Sequence, residues 1–195
     1  MKSKIWKEIY FYNYINKLEN KDKIFFVELY GYKIYDKCKH VQSVNINLND
    51  KGKIAQNFKK VNKVNKSEWC IKWLLEYKGN ITLDDFLKKK LKHKEIYSIC
   101  LQICNIIYIL YKGEYSHVDL HFNNIMVNKT DKKYFYFMNN KIPYCGYQLS
   151  AIDYGIILHK KFVNKLAHWN EQFSLNRENW AFMQMFNITF SIINE

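Results

Sequence analysis

The sequence predicts an α+β fold, and two observations support that class. Segments with apolar residues at three- and four-residue intervals, the spacing of amphipathic helices, alternate with short β-branched and aromatic segments typical of strands. The 195 residues are 48% hydrophobic and 17% aromatic, which suffices for a buried core and excludes an intrinsically disordered chain. Six glycines and one proline exclude collagen-like and Gly/Pro-rich low-complexity chains.

Apolar spacing predicts three longer helices and a short one. An amphipathic pattern covers residues 5–18, the longest helix covers 93–112, and a last helix lies near 178–193. Thr82 is positioned to cap the short helix, because Asp85 stands three residues further on, in the place of a capping-box acid.

Strands are predicted between these helices. Residues 24–35 and 68–77 are rich in β-branched and aromatic side chains, which favour strands. Two short strands are expected around 125–127 and 150–152, and a Tyr- and Phe-rich, hairpin-like stretch lies between them at 133–149.

The charge of the chain is strongly positive. Lys and Arg number 31 against 18 Asp and Glu, which gives +13, and Arg177 is the only arginine. Proteins that read bases rely on the planar fork of Arg, so a charge carried by Lys is weak support for a nucleic-acid partner. We interpret the Lys- and Asn-rich composition as that of an AT-rich coding sequence. A basic nucleic-acid-associated protein is kept only as a third hypothesis.

The cysteines and the apolar runs bear on location. Five cysteines without a C-x-x-C pair predict neither a disulfide framework nor a zinc site, and Cys100 and Cys104 are expected as free thiols on one helix face. The N-terminus lacks the apolar core of a signal peptide. The richest apolar run, 99–110, contains Gln102 and Asn105 and is too short to span a bilayer. We therefore expect a soluble, intracellular protein without a membrane partner.

The residues whose side chains could take part in a reaction or bind a ligand lie on one loop and at the end of one strand. The segment 116–127 follows the longest helix and feeds a strand, and it contains Asp119 and Asn124 five residues apart. An Asp and an Asn at that spacing can face a single metal–phosphate site. Asp153 stands at the end of the next apolar run, and Gly155 after it permits a sharp backbone turn beside a ligand.

These motifs resemble the protein-kinase-like superfamily. His117-x-Asp119-Leu120-x-x-x-Asn124 matches the H-R-D-L-x-x-x-N catalytic loop, and Asp153-Tyr154-Gly155 is similar to D-F-G. Leu75-Glu76-Tyr77-Lys78-Gly79 resembles the hinge that holds adenine, and Glu178-Asn179-Trp180 resembles the start of the large C-lobe helix. The insert containing residues 142–147 is similar to that of the divergent serine/threonine kinases of large DNA viruses and of haspin-like kinases.

The resemblance, which covers about residues 5–193, implies a fold and an activity. We expect a protein-kinase-like fold, with an incomplete N-lobe sheet in 1–77 and a mainly helical C-lobe in 78–195. We expect an ATP- and Mg²⁺-dependent phosphotransferase that acts on Ser or Thr of proteins, located in the host cytoplasm or the virion if the chain is viral.

The resemblance also implies roles for individual residues. Asp119 would be the catalytic base, Asn124 and Asp153 would bind Mg²⁺, and His117 would brace the loop. The nucleotide would be held by the backbone of Glu76 and Lys78, with His121 in the place of a lysine near the γ-phosphate.

The sequence departs from the kinase pattern in its first part. It contains no G-x-G-x-x-G loop and no V-A-I-K strand, so we expect a truncated N-lobe. Glu8 is the candidate for the helix glutamate that pairs with the strand lysine, and Lys72 is interpreted as a solvent-facing strand residue. Val118 replaces the Arg that docks a phosphorylated activation loop, and no A-P-E motif follows, so control by such phosphorylation is not expected.

Two alternatives to an active protein kinase stay open. The missing phosphate loop and lysine favour a catalytically weak or inactive kinase-like fragment that works as a binding module. The sequence around His121, H-x-D-L-H, also occurs in small-molecule kinases of the aminoglycoside and choline type, so the acceptor is open as well.

Overall fold

The computed structural model describes residues 4–36, 69–79 and 81–163. These residues form a mixed α+β structure, which confirms the predicted class. The helix predicted near 178–193, with its Glu178-Asn179-Trp180 motif, lies outside the described residues.

The helices and strands of the described residues follow one another along the chain with short connections. The helices are α1 (Lys4–Ile15), α2 (Asn20–Lys23), α3 (Leu83–Leu87), α4 (His93–Lys112) and α5 (Lys160–Val163), with a 3₁₀ turn at Phe122–Asn124. The strands are β1 (Leu29–Asp36), β2 (Trp69–Leu75), β3 (Tyr115–Ser116), β4 (Ile125–Lys129), β5 (Tyr134–Phe137), β6 (Asn140–Pro143), β7 (Tyr147–Ala151) and β8 (Leu158–His159).

Two compact units divide the described chain. Residues 29–36 and 69–75 form the smaller one, in which β1 and β2 pair antiparallel. Lys72 is exposed on β2, which confirms its interpretation as a solvent-facing residue. Residues 4–28 and 76–163 belong to the larger unit. The functional division into lobes at residue 77 stays a prediction.

The larger unit is built around the antiparallel pair β4 and β7. Ile125 lies opposite Ala151 and Lys129 lies opposite Tyr147, so the two strands are in register over their full length. Phe26 adds a parallel bridge to Ala151 at one edge of the pair. The three buried residues Ile125, Leu149 and Ala151 are at most 1% exposed, so the core lies across this pair.

Helix α4 begins and ends at the residues that the apolar pattern predicts. The apolar pattern predicts one buried face made of Ile96, Ile99, Cys100, Ile103, Ile107 and Leu110. In the structure Ile99, Ile103 and Ile106 are buried, whereas Cys100 and Ile107 are only half-buried. The buried face is therefore rotated by part of a turn from the predicted one. No helix in the described part of the chain is both long enough and apolar enough to cross a membrane.

Gln102 is the polar centre of the contact between α4 and β7. Its side chain is fully buried; the amide nitrogen donates to the Tyr147 carbonyl at 2.9 Å, and the amide oxygen accepts from the Leu149 N–H at 2.8 Å. Both hydrogen-bonding groups of the amide are thus satisfied by one strand, which fixes the helix along the strand direction.

The first predicted helix and strand are shorter than expected. Helix α1 ends at Ile15 rather than at residue 18, because tight backbone bonds from Lys17 and Leu18 close it. Residues 24–28 are not part of a strand, so the strand predicted at 24–35 is wrong in its first half. Phe25 and Phe26 are fully buried there, because this apolar segment fills the core of the larger unit, where it forms the isolated bridge to Ala151 and not a continuous strand.

The predicted hairpin is confirmed as β5 and β6. Met138 and Asn139 join the two strands with positive φ at both positions, 48° and 65°, which is the type I′ turn that suits strand twist. Phe135 is buried beside Phe25 and Tyr144, at ring distances of 5.7 Å and 5.1 Å. The hairpin therefore closes one side of the core.

The cysteines are largely as expected. Cys100, Cys104 and Cys145 are free thiols, and burial raises the pKa of Cys104. Cys70, on β2, is disulfide-bonded. The sequence analysis did not predict this disulfide, because an odd number of cysteines without a C-x-x-C pair gave no sign of it.

Replacing Gln102 by Ala leaves the Tyr147 carbonyl and the Leu149 N–H without their partner in the core. We expect the free energy of unfolding to fall by about 2–4 kcal/mol, since each buried orphan group costs about 1–3 kcal/mol. Urea denaturation followed by circular dichroism measures the change. Tyr111→Ala, on the same helix but 78% exposed, should change it by less than about 0.5 kcal/mol. Equal losses in the two variants would contradict the bridging role of Gln102.

Candidate functional site

The loop after β3 is closed on itself by hydrogen bonds. The Asp119 carbonyl accepts from the Asn124 side-chain amide and from the His121 N–H, both at 3.0 Å. The Asn124 N–H donates to the His121 carbonyl at 2.8 Å, within the 3₁₀ turn. These bonds fix the two ends of the loop, while the Asp119 carboxylate is 45% exposed and available to a ligand.

The pairing of β4 with β7 brings Asp153 to this loop. Just beyond the two strands, the Ile152 N–H donates to the Asn124 carbonyl at 2.9 Å. Asp153 is the next residue; it is exposed, and its carboxylate accepts from the Gly155 N–H at 3.3 Å. The structure thus brings together three residues that the sequence singled out: Asp119, Asn124 and Asp153.

Two non-glycine residues of the site have a left-handed backbone. Val118 has φ of 67° and Asp153 has φ of 61°. The left-handed region is unfavourable for a β-branched residue, and such conformations cluster at functional sites because the surrounding structure holds them. In this site the closed loop and the β4–β7 pair supply that constraint.

His117 connects the loop that carries Asp119 to the segment that carries Asp153, and its side chain is buried. It is 2% exposed, and its Nε2 lies 3.0 Å from the Ile152 carbonyl. Burial lowers the pKa of His117, so the ring is neutral and its Nε2–H donates to that carbonyl. The ring also packs edge-on against Tyr154 at 5.7 Å. The role of His117 as a brace of the catalytic loop stays a prediction.

Tyr154 anchors the segment that carries Asp153. Its side chain is fully buried, and its hydroxyl accepts from the Val27 N–H at 2.9 Å and donates to the Ala151 carbonyl. Its ring contacts Phe11 at 4.7 Å and Tyr12 at 5.3 Å on α1. The hydroxyl, which a phenylalanine would lack, is therefore satisfied at both its donor and its acceptor positions.

The hinge-like segment follows β2 and is tied at its first residue. The Glu76 N–H donates to the Glu28 carbonyl at 2.9 Å, and the Lys78 ammonium lies 2.7 Å from the Glu76 carboxylate. Among the described residues, the Glu76 carbonyl and the Lys78 N–H have no hydrogen-bond partner. These two groups therefore keep a hydrogen-bonding capacity that a ligand could use.

His121 lies beside the proposed base rather than apart from it. Its Nε2 is 3.8 Å from the Asp119 carboxylate, and 41% of its side chain is exposed. The side chain can thus face a ligand that reaches Asp119.

Two oxygen donors are available for a divalent cation. The Asn124 amide nitrogen is committed to the Asp119 carbonyl, which leaves its oxygen for a metal, and Asp153 supplies a carboxylate. The described residues contain no cluster of three His, Cys, Asp or Glu side chains. Mg²⁺ does not need one, because it is commonly held by one or two protein groups together with phosphates and water. The donor set therefore fits Mg²⁺.

Glu8 on α1 is half-buried, and its charge is coupled to that of Asp153. Burial raises the pKa of Glu8, and the negative charge of Asp153 contributes to the shift. Both charges raise the pKa of Tyr12 as well, after its own burial. Glu8 makes no ion pair with any residue in the described ranges 4–36, 69–79 and 81–163. It is a half-buried carboxylate near the site and not a plain surface charge.

One residue of the site was missed by the sequence prediction. Asn128 on β4 donates to the Lys78 carbonyl at 2.7 Å, and no motif marks it. Gly79, which the sequence analysis named only as part of the hinge-like segment, lies against Asn128 with φ of 89°. The hydrogen bonds of the Tyr154 hydroxyl were not predicted either, because they depend on where residue 27 lies.

Comparison with known proteins does not identify the chain. No protein-family model matches it, and no curated protein matches it significantly. Its function has to be inferred from the residues of the site.

Tyr154→Phe removes the hydroxyl and leaves the buried Val27 N–H and Ala151 carbonyl without that partner. We expect the free energy of unfolding to fall by about 1–3 kcal/mol. Tyr136→Phe is a matched control, since Tyr136 is 50% exposed and should lose less than about 0.5 kcal/mol. Chemical denaturation of both variants decides the point, and a loss no larger than that of the control would contradict the anchoring role.

The buried His117 should make the stability depend on pH. Its folded pKa lies below the ordinary 6.5, so on acidification the unfolded chain takes up a proton before the folded one. The contribution is complete above the unfolded pKa and is lost as pH falls from there toward the folded pKa. We expect the free energy of unfolding to decrease between about pH 7.5 and 5, and less steeply in His117→Gln. Denaturation curves across this range test it, and an unchanged slope would contradict it.

Proposed function

We propose that the protein is an ATP- and Mg²⁺-dependent phosphotransferase of the protein-kinase-like fold. The observation that carries the proposal is the double attachment of Asn124. Its side chain binds the Asp119 carbonyl, and its own carbonyl binds the residue before Asp153. These bonds tie together the backbones that carry one amide oxygen and two carboxylates, which is the set of groups that phosphoryl transfer needs.

Each of the three groups has a role in that reaction. The exposed Asp119 carboxylate accepts the proton of the attacking hydroxyl and orients it. The Asn124 oxygen and the Asp153 carboxylate would hold Mg²⁺, which neutralises charge on the transferring phosphates when bound. The hydrogen-bonded loop holds these groups in place before substrate arrives, which is where most of the catalytic advantage of such sites lies.

The nucleotide base has a complementary edge on the hinge-like segment. The Glu76 carbonyl can accept from the adenine amino group, and the Lys78 N–H can donate to a ring nitrogen. Both groups lack partners among the described residues. His121, next to Asp119, is available to the phosphate end.

The acceptor that we propose is a Ser or Thr hydroxyl of a protein. A small hydroxyl compound of the aminoglycoside or choline type is the alternative acceptor. Parallel transfer assays on peptide libraries and on such compounds distinguish the two.

A second candidate function is a kinase-like binding module with little or no turnover. The half-buried Glu8 favours it, because among the described residues no lysine pairs with this carboxylate. Such a lysine normally positions the phosphates. Nucleotide binding without transfer would identify this candidate.

The phosphotransferase is tested by nucleotide binding and by transfer from radiolabelled ATP. Wild type should bind ATP with Mg²⁺ and gain about 2.7 kcal/mol of stability at a hundredfold excess over Kd. Asp119→Asn should keep this binding and lose about 10²- to 10⁴-fold in turnover. Asp153→Asn should lose the Mg²⁺-dependent part of the binding.

The control for these variants is Asp131→Asn, which neutralises an exposed carboxylate after β4. It should behave as wild type. Absence of nucleotide binding by wild type would contradict the proposal. Strongly salt-dependent binding of DNA or RNA would instead favour a nucleic-acid-associated protein.

A further inference from the structure

The segment that follows Glu76 is held by a side chain of β4. The Asn128 amide nitrogen donates to the Lys78 carbonyl at 2.7 Å. Next to this bond, the Val127 N–H donates to the Ile81 carbonyl at 3.0 Å, and Thr82 forms a bridge with Met126. Lys78, Ile81 and Thr82 are therefore each bonded to β4, and Asn128 makes the bond to Lys78.

The hydrogen bond between Asn128 and Lys78 needs a glycine at position 79. A Cβ atom at this position would come within 2.1 Å of the Asn128 side-chain oxygen, and φ is 89°. Both the space and the backbone conformation therefore require glycine. The amide of Asn128 lies directly against the backbone of Gly79, so the contact is a fitted one and not a chance surface hydrogen bond.

The other end of the segment is fixed independently. The Glu76 N–H binds the Glu28 carbonyl, and the Glu76 carboxylate accepts from the Glu28 N–H at 3.3 Å. The Lys78 side chain is only 9% exposed because it pairs with Glu76. With both ends held, the Glu76 carbonyl and the Lys78 N–H keep a fixed spacing.

We propose that Asn128 is a positioning residue for nucleobase recognition, and that its bond to Lys78 sets the affinity and the adenine selectivity of the site. This inference rests on the proposed nucleotide binding. Asn128 does not contact the base; it holds the peptide that does. Without it the segment visits other conformations, and the apparent affinity falls by the fraction of molecules that leave the competent one.

Base selectivity distinguishes a positioning role from a purely structural one. If Asn128 only stabilised the fold, its replacement would leave the preference for ATP over ITP unchanged. Adenine presents an amino donor and a ring-nitrogen acceptor, which match the Glu76 carbonyl and the Lys78 N–H. The hypoxanthine of ITP presents a carbonyl and a ring N–H, so both contacts become unfavourable. A loosened segment should therefore lose ATP affinity and should discriminate less between ATP and ITP.

Gln148→Ala provides a matched control. Gln148 lies directly opposite Asn128 on β7, is also half-buried, and also donates its amide to a backbone carbonyl, that of Ile24 at 3.0 Å. That carbonyl is not part of the hinge-like segment. Gln148→Ala thus reproduces the loss of one amide hydrogen bond on the same strand pair without touching the base-binding groups.

The experiment is isothermal titration of the full chain with ATP and with ITP, with and without Mg²⁺. We expect Asn128→Ala to raise the Kd of ATP about three- to tenfold and to lower the ATP:ITP preference, the size that one net hydrogen bond gives. The ratio of ATP affinities with and without Mg²⁺ should stay as in wild type. If turnover is present, KM should rise while kcat stays constant.

Different results would overturn the proposed function and the positioning role of Asn128. If wild type does not bind ATP, the proposed function is overturned. If wild type binds ATP and Asn128→Ala keeps the Kd and the ATP:ITP preference of Gln148→Ala, the positioning role of Asn128 is overturned. Amide hydrogen exchange of residues 76–79 gives an independent reading: it should become faster in Asn128→Ala only, and equal rates in all three proteins would overturn the role as well.

Discussion

The antiparallel pairing of β4 with β7 is the constraint on which the site depends. Asn124 precedes one strand and Ile152 follows the other, so the register that puts Ile125 opposite Ala151 also decides which residues of the two loops meet. A slip by one residue would turn alternate side chains to the other face and would separate Asn124 from Asp153. The buried apolar residues of the two strands prevent that slip, because exposing them costs far more than any one hydrogen bond.

Aromatic residues make up much of this core, and some of their hydroxyl groups form hydrogen bonds inside it. The Tyr154 hydroxyl joins two backbone groups, and the Tyr14 hydroxyl donates to the Ile109 carbonyl at the end of α4. Gln102 does the same work for the helix against β7. These hydrogen bonds tie the rings of Tyr154 and Tyr14 to particular backbone atoms, whereas the buried hydroxyl of Tyr144 has no partner in the described part of the chain. Because of these hydrogen bonds, we expect the stability of the core to depend on single atoms, such as the hydroxyl oxygen that distinguishes Tyr from Phe.

The elements that were predictable from the sequence are those decided by local rules. Helix α4 was predicted at both ends because its apolar period is continuous, and the Thr82 cap was predicted because its hydrogen bond to the Asp85 N–H is local. Residues 24–28 were predicted as a strand because their composition favours one, but tertiary burial of Phe25 and Phe26 outweighed propensity.

In the candidate site, too, the residues with a local sequence signal could be predicted and those that depend on distant contacts could not. Asp119, Asn124 and Asp153 could be selected because their types and spacing are informative along the chain. Asn128 could not, since its bond to Lys78 joins residues 50 positions apart and an Asn on a strand has no distinctive pattern. The burial of Glu8 was equally invisible, because the helical period shows only which side of α1 it is on and not what lies against that side.

The left-handed backbone at Val118 has a consequence for the evolution of the chain. A β-branched residue at φ of 67° holds strain on the order of 1–3 kcal/mol, which Asn or Gly at the same place would relieve. A sequence selected for stability alone would therefore drift toward those residues at position 118. With Val at this position, the fixed shape of the loop is maintained at a cost in stability.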